Sequence, residues 1–345
     1  MTTCDTFKVG LTRDLLNGAG EPSFGMAPLA LLDEAANLEW EFIPESVDAL
    51  TPELLARYDA IYVNTPRVTA QSFGPAPPRA KIIARHGVGY DSVDAPSLTA
   101  RGVLLTNTPA AVRRPVATMT MTFVLALAQK LITKDRLTRT GRWNERNDHM
   151  GQGLTGKVIG VIGAGSIGLE CIKLARAFDM EALAADPFVD PGIVAQQSGS
   201  LVALDALLQR SDFVVITCLL NEATRHLINA QRLALMKPGA YLINVARGPI
   251  VDETALIDAL QRAVIAGAAL DVFEHEPVRA DNPLLAMDNV IVTPHALCWT
   301  DECFDGIARS GFGAIVDTLA HRTPPHVVNR DVLARPEVKR WFDNL

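Results

Sequence analysis

The chain has 345 residues, which is enough for two domains of ordinary size. Hydrophobic residues make up 48% of the sequence and charged residues 21%, proportions that are ordinary for a soluble globular protein. The net charge of −7 gives no basic footprint for a nucleic-acid partner and argues against binding to an anionic membrane surface.

The N-terminus and the cysteines indicate a cytoplasmic protein with reduced thiols. Residues 1–5 show no charged start leading into an apolar core, so we expect no signal peptide. The most apolar helical stretch, about residues 119–132, is too short and too interrupted to span a bilayer. No two cysteines have the spacing of metal ligands, so we predict no metal site; the cysteines are Cys4, Cys171, Cys218, Cys298 and Cys303.

Apolar runs alternate with helical patterns along the whole chain. Strands that are apolar on both faces suit parallel sheets covered by helices. Repeated strand–helix units therefore predict an α/β protein made of two doubly wound domains. The runs that predict buried strands are Phe7–Leu11, Ala60–Val63, Lys81–Ala84, Val103–Thr106, Val158–Ile162, Ala182–Ala185, Phe213–Ile216, Ala240–Asn244, Ala268–Asp271 and Val290–Thr293.

The order of these units predicts where the domains divide. A glycine-rich motif follows the strand near residue 158, and the strand–helix units before it need a sheet of their own. We predict a first domain of residues 1–112 completed by the tail 298–345, and a second domain of residues 113–297. The two crossings would act as hinges, and the cleft between such domains is a common place for a small-molecule site.

The glycine-rich motif is Gly163-Ala164-Gly165-Ser166-Ile167-Gly168, which lies between a predicted strand and a predicted helix. In a Gly-x-Gly-x-x-Gly pattern, Gly163 permits a tight turn, Gly165 lets the backbone approach a pyrophosphate, and Gly168 allows close packing of helix on strand. The helix N-terminus, with Ser166 and Ile167, offers N–H groups to the phosphates. We therefore predict a dinucleotide site.

Asp186 ends the next apolar run, the place where such sites hold an acid. Its carboxylate can accept hydrogen bonds from a ribose 2′-hydroxyl, and its charge would repel a 2′-phosphate. The sequence thus predicts NAD, preferred over NADP.

Three further segments follow predicted strands of the second domain and carry candidate catalytic residues. Arg247 follows the strand that ends at Asn244, Glu276 lies shortly after Asp271, and His295 follows the last strand. Because ligands of open parallel sheets bind outside the carboxyl ends of the strands, we expect these segments to converge.

The sequence resembles the D-isomer-specific 2-hydroxyacid dehydrogenase family over nearly the whole chain. The resemblance implies a flavodoxin-like substrate-binding domain, a Rossmann NAD-binding domain and hinge helices between them. It also implies a homodimer built on the NAD-binding domains. The segments that carry it are residues 85–94, Asn107-Thr108-Pro109, the glycine motif and the segments around Arg247, Glu276 and His295.

The resemblance implies hydride transfer between nicotinamide and C2 of a 2-keto or D-2-hydroxy acid. His295 would be the general acid, and the base in the reverse direction, because the ordinary pKa of histidine lies near working pH. Glu276 would hydrogen-bond the far ring nitrogen and stabilise the charged imidazole. Arg247 would hold the substrate carboxylate and polarise the carbonyl with its planar guanidinium.

Other predicted contacts follow from the same resemblance. The backbone N–H groups of Val88 and Gly89 would hold the substrate carboxylate from the first domain. Asp271 matches the position that meets the nicotinamide carboxamide. The remaining expected cofactor contacts are Cys218, Ala246 and His295 itself.

Departures from the family pattern predict an unusual pocket. The family commonly has Val-Ala-Glu where this chain has Val116-Ala117-Thr118, preceded by Arg113 and Arg114. We predict that one of these arginines, Arg114 by preference, contacts a second polar or anionic group of a larger substrate. The alternatives are an interdomain salt bridge or a charge on the helix surface.

Trp299 is predicted to wall the pocket, with interdomain packing as the alternative. Arg67 lies on a loop that we expect to face the cleft, and Trp143 is expected to pack in a dimer interface or at the cleft rim. A structural interpretation is preferred for Cys298, Cys303, His86, His149, His226, His321 and His326.

Phosphite dehydrogenases share the arginine, glutamate and histidine and stay open, and two other branches of the family are the leading interpretations. One comprises glyoxylate and hydroxypyruvate reductases, and the other comprises phosphoglycerate dehydrogenases that lack the regulatory domain. We expect no such regulatory domain in this chain, because the sequence up to Leu345 leaves no room for it. Glu276 disfavours formate dehydrogenases, which have glutamine there. The alternative from another class is an NAD(H)-sensing binding protein of the corepressor type, whose mark would be a lost catalytic group, and none is missing.

Overall fold

The computed structural model describes residues 6–343. They form two compact units: residues up to Val112 together with those from Trp299 onward make the first, and Arg113–Cys298 makes the second. The chain crosses from one to the other near Val112 and again after Cys298. Cys4 and the segment 1–5, on which the absence of a signal peptide was predicted, lie outside the described residues.

The strands, in chain order, form a five-stranded sheet from β1–β5 and a seven-stranded sheet from β6–β12. Their bounds are β1 Phe7–Leu11, β2 Leu38–Phe42, β3 Ala60–Val63, β4 Ile82–Arg85, β5 Leu104–Thr106, β6 Val158–Ile162, β7 Glu181–Ala185, β8 Gly199–Leu201, β9 Phe213–Ile216, β10 Tyr241–Asn244, β11 Gly267–Leu270 and β12 Val290–Val292.

The α-helices and the short 3₁₀ helices connect these strands. The α-helices are α1 Ala30–Asp33, α2 Pro52–Arg57, α3 Ala95–Ala100, α4 Pro109–Ala128, α5 Leu131–Arg139, α6 Ser166–Ala175, α7 Pro191–Gln196, α8 Leu204–Arg210, α9 Ala230–Leu233, α10 Glu253–Gln261, α11 Asp301–Leu319 and α12 Pro336–Phe342. The 3₁₀ helices are Arg13–Leu15, Ala27–Leu29, Ala70–Ser72, Trp143–Asp148, Arg176–Phe178, Gly248–Ile250, Pro283–Ala286 and Arg330–Ala334.

The first unit is a parallel sheet in the order β2-β1-β3-β4-β5. This is the flavodoxin-like order of doubly wound folds. Alternate residues of β3 enter separate cores on the two faces: Tyr62 packs in the cluster that contains Phe312 of α11, and Ile61 packs with Leu54 of α2. The strand is therefore apolar on both sides, as its unbroken apolar sequence predicted.

The second unit is a parallel sheet in the order β12-β11-β10-β9-β6-β7-β8. The chain begins in the middle at β6, builds outward to β8, then returns to β9 and builds the other half. This Rossmann-type order puts the topological switch point between β6 and β9. The predicted α/β class with two doubly wound sheets is confirmed.

The prediction missed β2 and β8, which are edge strands. β2 reads Leu38-Glu39-Trp40-Glu41-Phe42, and its residues alternate between half-buried and exposed. The alternation has the period of a half-buried strand, but glutamates hide it from a search for unbroken apolar runs. β8 has only three residues, too few to show a period.

No single helix among residues 6–343 is long and apolar enough to cross a membrane. The pair α4 and α5 passes that test jointly, by length and composition only, and is bent by 59°. The side chains of Phe123, Val124 and Ala128 on α4 are at most 1% exposed, as in a core helix.

Candidate active site

A tight glycine turn joins β6 to α6. Gly163 has a φ of 95°, in the left-handed region, and a Cβ built on it would lie 2.6 Å from the backbone nitrogen of Cys218. A Cβ on Gly168 would lie 2.1 Å from the carbonyl oxygen of Gly163. On Gly165, by contrast, a Cβ would meet no atom of the described residues within 4 Å. The turn is thus packed against the protein at two glycines and open at the third.

The carboxylate of Asp186 is fixed beside this turn, after β7. Its Oδ2 accepts a hydrogen bond from the N–H of Ala164 at 2.8 Å, and its Oδ1 accepts one from the N–H of Phe188 at 2.8 Å. The N–H of Gly163 donates to the carbonyl oxygen of Ala185 at 2.9 Å, which ties the turn to β7. Carboxylate oxygens accept more than one hydrogen bond, so Asp186 retains capacity for a ribose hydroxyl.

These features fit a dinucleotide. The open position at Gly165 leaves room for a pyrophosphate to lie close to the backbone, and α6 begins at the next residue, Ser166. The N–H groups of the first helical turn, including that of Ile167, have no acceptor inside the helix, and the dipole favours negative charge there.

Cys218 and Ala246 follow β9 and β10, at the same carboxyl edge of the parallel sheet as the glycine turn. Burial raises the pKa of the Cys218 thiol to about 11, so the side chain is uncharged near neutral pH. Both residues are therefore available as neutral contacts near the dinucleotide site.

Arg247 is held by the backbone around it. Its Nη1 donates to the carbonyl oxygen of Ala246 at 2.7 Å. The buried Asn244 donates from Nδ2 to the Arg247 carbonyl oxygen at 2.9 Å and accepts the Ala246 N–H at 3.1 Å. A Cβ on Gly248 would lie 1.8 Å from the carbonyl oxygen of Phe273. Glycine therefore allows the loop after β10 to pack directly on the loop after β11.

Glu276 and His295 form a hydrogen-bonded pair. Nδ1 of His295 lies 2.8 Å from Oε2 of Glu276, whose Oε1 accepts the N–H of Phe273 at 3.0 Å. The His295 side chain is 45% exposed, and its Nε2 makes no hydrogen bond within the described part of the chain. The pair thus presents one free imidazole nitrogen, as a general acid or base requires.

The charge state of Glu276 suits this pairing. Burial would raise the pKa of its carboxyl group, but the hydrogen bonds from His295 and from the Phe273 N–H oppose this, as do the charges of His295 and Arg247. The result is a pKa below the ordinary glutamate value. Glu276 is therefore ionised at neutral pH and can stabilise a protonated imidazole.

Asp271 secures the loop that carries His295. The side chain is buried, and its Oδ1 accepts the hydroxyl of Thr293 and the N–H groups of Ala296 and Leu297, the latter two at 3.1 and 3.2 Å. His295 itself has a φ of 54° and donates its N–H to the Thr293 carbonyl oxygen at 3.0 Å. Asp271 thus has a positioning role, while its contact with a nicotinamide carboxamide stays a prediction.

Val88 and Gly89 lie after β4 in the first unit. The loop is fixed by its carbonyl groups: Gly87 accepts the Thr108 N–H at 3.0 Å, and Val88 accepts Nδ2 of Asn107 at 3.0 Å. The N–H groups of Val88 and Gly89 find no acceptor among residues 6–343. Two adjacent unpaired N–H groups are suited to a carboxylate.

Arg114 and Arg113 both pair with Glu170 of α6. Nη1 of Arg114 lies 2.8 Å from Oε1 of Glu170, and Nε of Arg113 lies 3.8 Å from Oε2. This pairing lies within the second unit and so differs from the interdomain salt bridge that the sequence left open. The contact of Arg114 with substrate stays a prediction.

The other predicted pocket residues are exposed. Trp299 is 56% exposed in the first unit, with its ring centroid 5.1 Å from that of Phe304. Arg67 lines a cavity of about 420 Å³ at the carboxyl ends of β1, β2 and β3. Trp143 is 61% exposed in the second unit. Across residues 6–343, no cluster of His, Cys, Asp or Glu is placed to hold a metal ion.

Sequence reasoning gave His226 a structural role and did not predict its partner, Glu274. Nε2 of His226 lies 2.7 Å from Oε1 of Glu274, two residues before Glu276. The one hint in the sequence was the second acid in Glu274-His275-Glu276; the sequence separation of 48 between His226 and Glu274 hides the contact.

The fold and the turn define a dinucleotide-binding α/β protein, and comparison with known proteins gives its family. Residues 121–296 match the model described as D-isomer specific 2-hydroxyacid dehydrogenase, NAD binding domain. A glyoxylate reductase of Thermococcus onnurineus is 38% identical over 273 residues, 77% of this chain and 81% of the relative. Another from Thermofilum pendens is 37% identical over 300 residues, 84% and 86% of the two chains.

A solved structure agrees with these relatives. The D-lactate dehydrogenase from Aquifex aeolicus, complexed with NAD and lactic acid, has a TM-score of 0.78 and 27% identity, and the match covers 90% of this chain and 95% of that one. The chain belongs to the D-isomer specific 2-hydroxyacid dehydrogenase family. It is an NAD-dependent 2-hydroxyacid dehydrogenase, as the sequence predicted.

Proposed function

We propose that this chain reduces a small 2-keto acid to the D-2-hydroxy acid with NADH, and that His295 supplies the proton. The observation that carries the proposal is the 2.8 Å hydrogen bond between His295 and Glu276, in the same unit as the glycine turn. NADH, when bound, supplies the hydride for the carbonyl carbon. The carbonyl oxygen must gain a proton in the same reaction, so an acid group is needed beside it.

His295 is the donor because its Nδ1 is held by Glu276 and its Nε2 is free. The ionised Glu276 orients the ring and places a negative charge beside the imidazole that donates the proton. In the direction of oxidation, the same nitrogen takes the proton from the hydroxyl group.

Arg247 and the loop after β4 bind the substrate carboxylate. The guanidinium of Arg247 offers paired N–H donors to a carboxylate and draws charge from the neighbouring carbonyl oxygen. The unpaired N–H groups of Val88 and Gly89 are the second set of donors. These contacts fix the substrate by the group that all 2-keto acids share, so the substituent on C2 determines selectivity.

Glyoxylate is the first substrate to test, because relatives from several organisms are glyoxylate reductases. The experiment is NADH oxidation by the purified protein over glyoxylate, hydroxypyruvate, and branched, aromatic and sugar-derived 2-keto acids. We expect turnover with at least one of them. Arg247→Gln should raise KM for every active acid by about tenfold or more, because a charge-assisted carboxylate contact is lost. Bound NADH without turnover of any acid would overturn the proposal.

NAD is proposed as the preferred cofactor over NADP. The fixed carboxylate of Asp186 lies beside the glycine turn, where it would repel a 2′-phosphate. Equal dissociation constants for NADH and NADPH would contradict this preference.

A homodimer through the NAD-binding domain is proposed as the assembly. The second unit exposes large apolar side chains around α5 and the following loop: Leu131, Ile132, Trp143 and Met150. Apolar surface of this kind marks interaction sites. A monomeric mass in solution would refute it.

The corepressor-type alternative is not favoured, because the relatives are enzymes and the Arg247, Glu276 and His295 set is complete. The cytoplasmic location and the absence of nucleic-acid and membrane partners stay predictions.

A further inference from the structure

We infer that His226 is a positioning residue for the Glu276–His295 pair and acts through Glu274. The inference rests on the proposed function of that pair. It concerns how the loops that carry Arg247 and Glu276 are held, not which groups meet the substrate.

His226 ties two loops together. Its Nε2 lies 2.7 Å from Oε1 of Glu274, on the loop after β11. Its backbone N–H donates to the carbonyl oxygen of Pro249 at 2.8 Å, on the loop after β10. The residue has a φ of 49°, a conformation uncommon for a residue with a side chain. One histidine therefore connects the Arg247 loop by its main chain and the Glu276 loop by its side chain.

The main-chain connection extends beyond His226. The N–H of Ile228 donates to the Ile250 carbonyl oxygen at 3.1 Å, and the N–H of Asp252 donates to the Ile228 carbonyl oxygen at 2.9 Å. The segment that bears His226 is thus hydrogen-bonded to the chain that follows Arg247. The backbone position from which the imidazole extends is therefore fixed.

Glu274 is held on its other side by Glu253, the first residue of α10. The N–H of Glu274 donates to Oε2 of Glu253 at 3.1 Å, and the N–H of Glu253 donates to Oε2 of Glu274 at 3.4 Å. Nδ2 of Asn282 donates to Oε1 of Glu253 at 2.7 Å. These hydrogen bonds bring the carboxylates of Glu253 and Glu274 close together. The imidazole of His226 donates a hydrogen bond to Glu274 and so reduces the repulsion between the two carboxylates.

The backbone couples the position of Glu274 to that of Glu276. A Cβ on Gly248 would lie 2.4 Å from the nitrogen of Glu274, so the two loops touch at this point. The residue before Glu274 is Phe273, whose N–H donates to Oε1 of Glu276 at 3.0 Å. Moving Glu274 therefore moves the donor that orients the Glu276 carboxylate, and with it the ring of His295.

The consequence is a specific kinetic signature. Small misplacements of a catalytic group lower the rate, by about a hundredfold for 1 Å. The glycine turn after β6, where the pyrophosphate would bind, is separated from β11 by β9 and β10, so this part of the cofactor site should not change. Loss of the His226–Glu274 bond should thus lower kcat and leave NADH binding unchanged.

The test compares His226→Ala with His226→Gln, using the 2-keto acid that gives the highest turnover. The two variants share the backbone strain at this φ, but only glutamine can still donate to Glu274. We expect kcat to fall about tenfold or more in His226→Ala and to be largely retained in His226→Gln. The dissociation constant for NADH should not change in either variant.

The matched control is His321→Ala. His321 also has a positive φ, of 55°, and its Nδ1 lies 2.5 Å from the Trp341 carbonyl oxygen in the first unit. Removing this bond should affect stability and leave kcat unchanged. If His226→Ala does not fold, Glu274→Ala removes the same bond from the other side and should give the same loss of kcat.

A double variant distinguishes a positioning role of His226 from a general loss of structure. In Glu276→Gln, whose own kcat is lowered, adding His226→Ala should cause little further loss, because both changes act on one unit. Full additivity of the two changes, or wild-type kcat in His226→Ala, would overturn the inference while leaving the proposed function intact. Failure of the proposed function would appear instead as wild-type activity in Glu276→Gln.

Discussion

Glu276 engages both carboxylate oxygens at once, one with His295 and one with the Phe273 N–H. A carboxylate held at both oxygens has a defined orientation, and the imidazole bound to it is oriented in turn. The pairing of Glu276 with His295 was predictable from residue type and order, and their catalytic roles stay predictions. The Phe273 N–H and the Asp271 side chain that support them were not, because no sequence pattern reports a particular hydrogen bond.

His86 is a buried histidine with a different role. It is 5% exposed, and its Nδ1 lies 2.6 Å from the hydroxyl oxygen of Tyr62. Within the described residues its Nε2 has no hydrogen-bond partner. Burial, with a contribution from the charge of Arg85, lowers the pKa of His86 to about 3. The side chain is thus neutral in the folded protein at all working pH values, which fits the structural interpretation.

This burial predicts an acid-dependent stability. Between pH 6.5 and about 3, the unfolded chain binds a proton at His86 and the folded chain does not. The free energy of unfolding should therefore fall as the pH falls, by about 1.4 kcal/mol per pH unit from this group once the pH is well below 6.5. Urea unfolding of the wild type and of His86→Gln at pH 7, 6 and 5 measures how the free energy of unfolding depends on pH.

The variant should lose stability with acid less steeply than the wild type. His275→Gln, which alters an exposed histidine, is the control and should keep the wild-type slope. Equal slopes in wild type and His86→Gln would contradict the assignment.

At the scale of elements, the candidate site is built from the carboxyl ends of parallel strands in the second unit. β6, β7, β10, β11 and β12 are followed, respectively, by the glycine turn, Asp186, Arg247, Glu276 and His295. Strand–turn–helix patterns made this arrangement predictable, since the strand ends of a parallel sheet share one edge.

The glycine turn gives a prediction that separates folding from cofactor binding. Gly163→Ala should destabilise the protein by about 1–3 kcal/mol, because the residue has a positive φ and its Cβ would meet the Cys218 backbone. Gly165→Ala should leave stability nearly unchanged, since its Cβ meets open space, but should weaken NADH binding by blocking the backbone approach. Urea unfolding and NADH fluorescence titration measure the two effects.

Gly239→Ala is the control for both measurements, because a Cβ there also meets no described atom within 4 Å. It should match the wild type in stability and in NADH affinity. Unchanged NADH affinity in Gly165→Ala would contradict the assignment of the turn to the cofactor.

Contacts between helices were not predictable from the sequence. Arg114 and Glu170 are 56 residues apart, on α4 and α6, and their 2.8 Å contact depends on how the two helices pack. The departure from the family pattern at Thr118 drew attention to these arginines but gave no information about a partner.

At the scale of the whole molecule, the chain builds two doubly wound parallel sheets with different strand orders. The class followed from apolar runs that alternate with helical patterns, because buried parallel strands need apolar residues on both faces. The family followed from motifs spread over most of the chain. The substituent that the enzyme accepts on C2 was not predictable, because no motif in the sequence specifies it.

In the function that we propose, His295 supplies the proton for an NADH-dependent reduction. The most direct measurement is kcat of His295→Gln with the best 2-keto acid, with the dissociation constant for NADH measured on the same preparation. We predict that NADH binding is largely retained and that kcat falls by about 10²–10⁴-fold, the usual contribution of general acid catalysis. A kcat close to that of the wild type would contradict it.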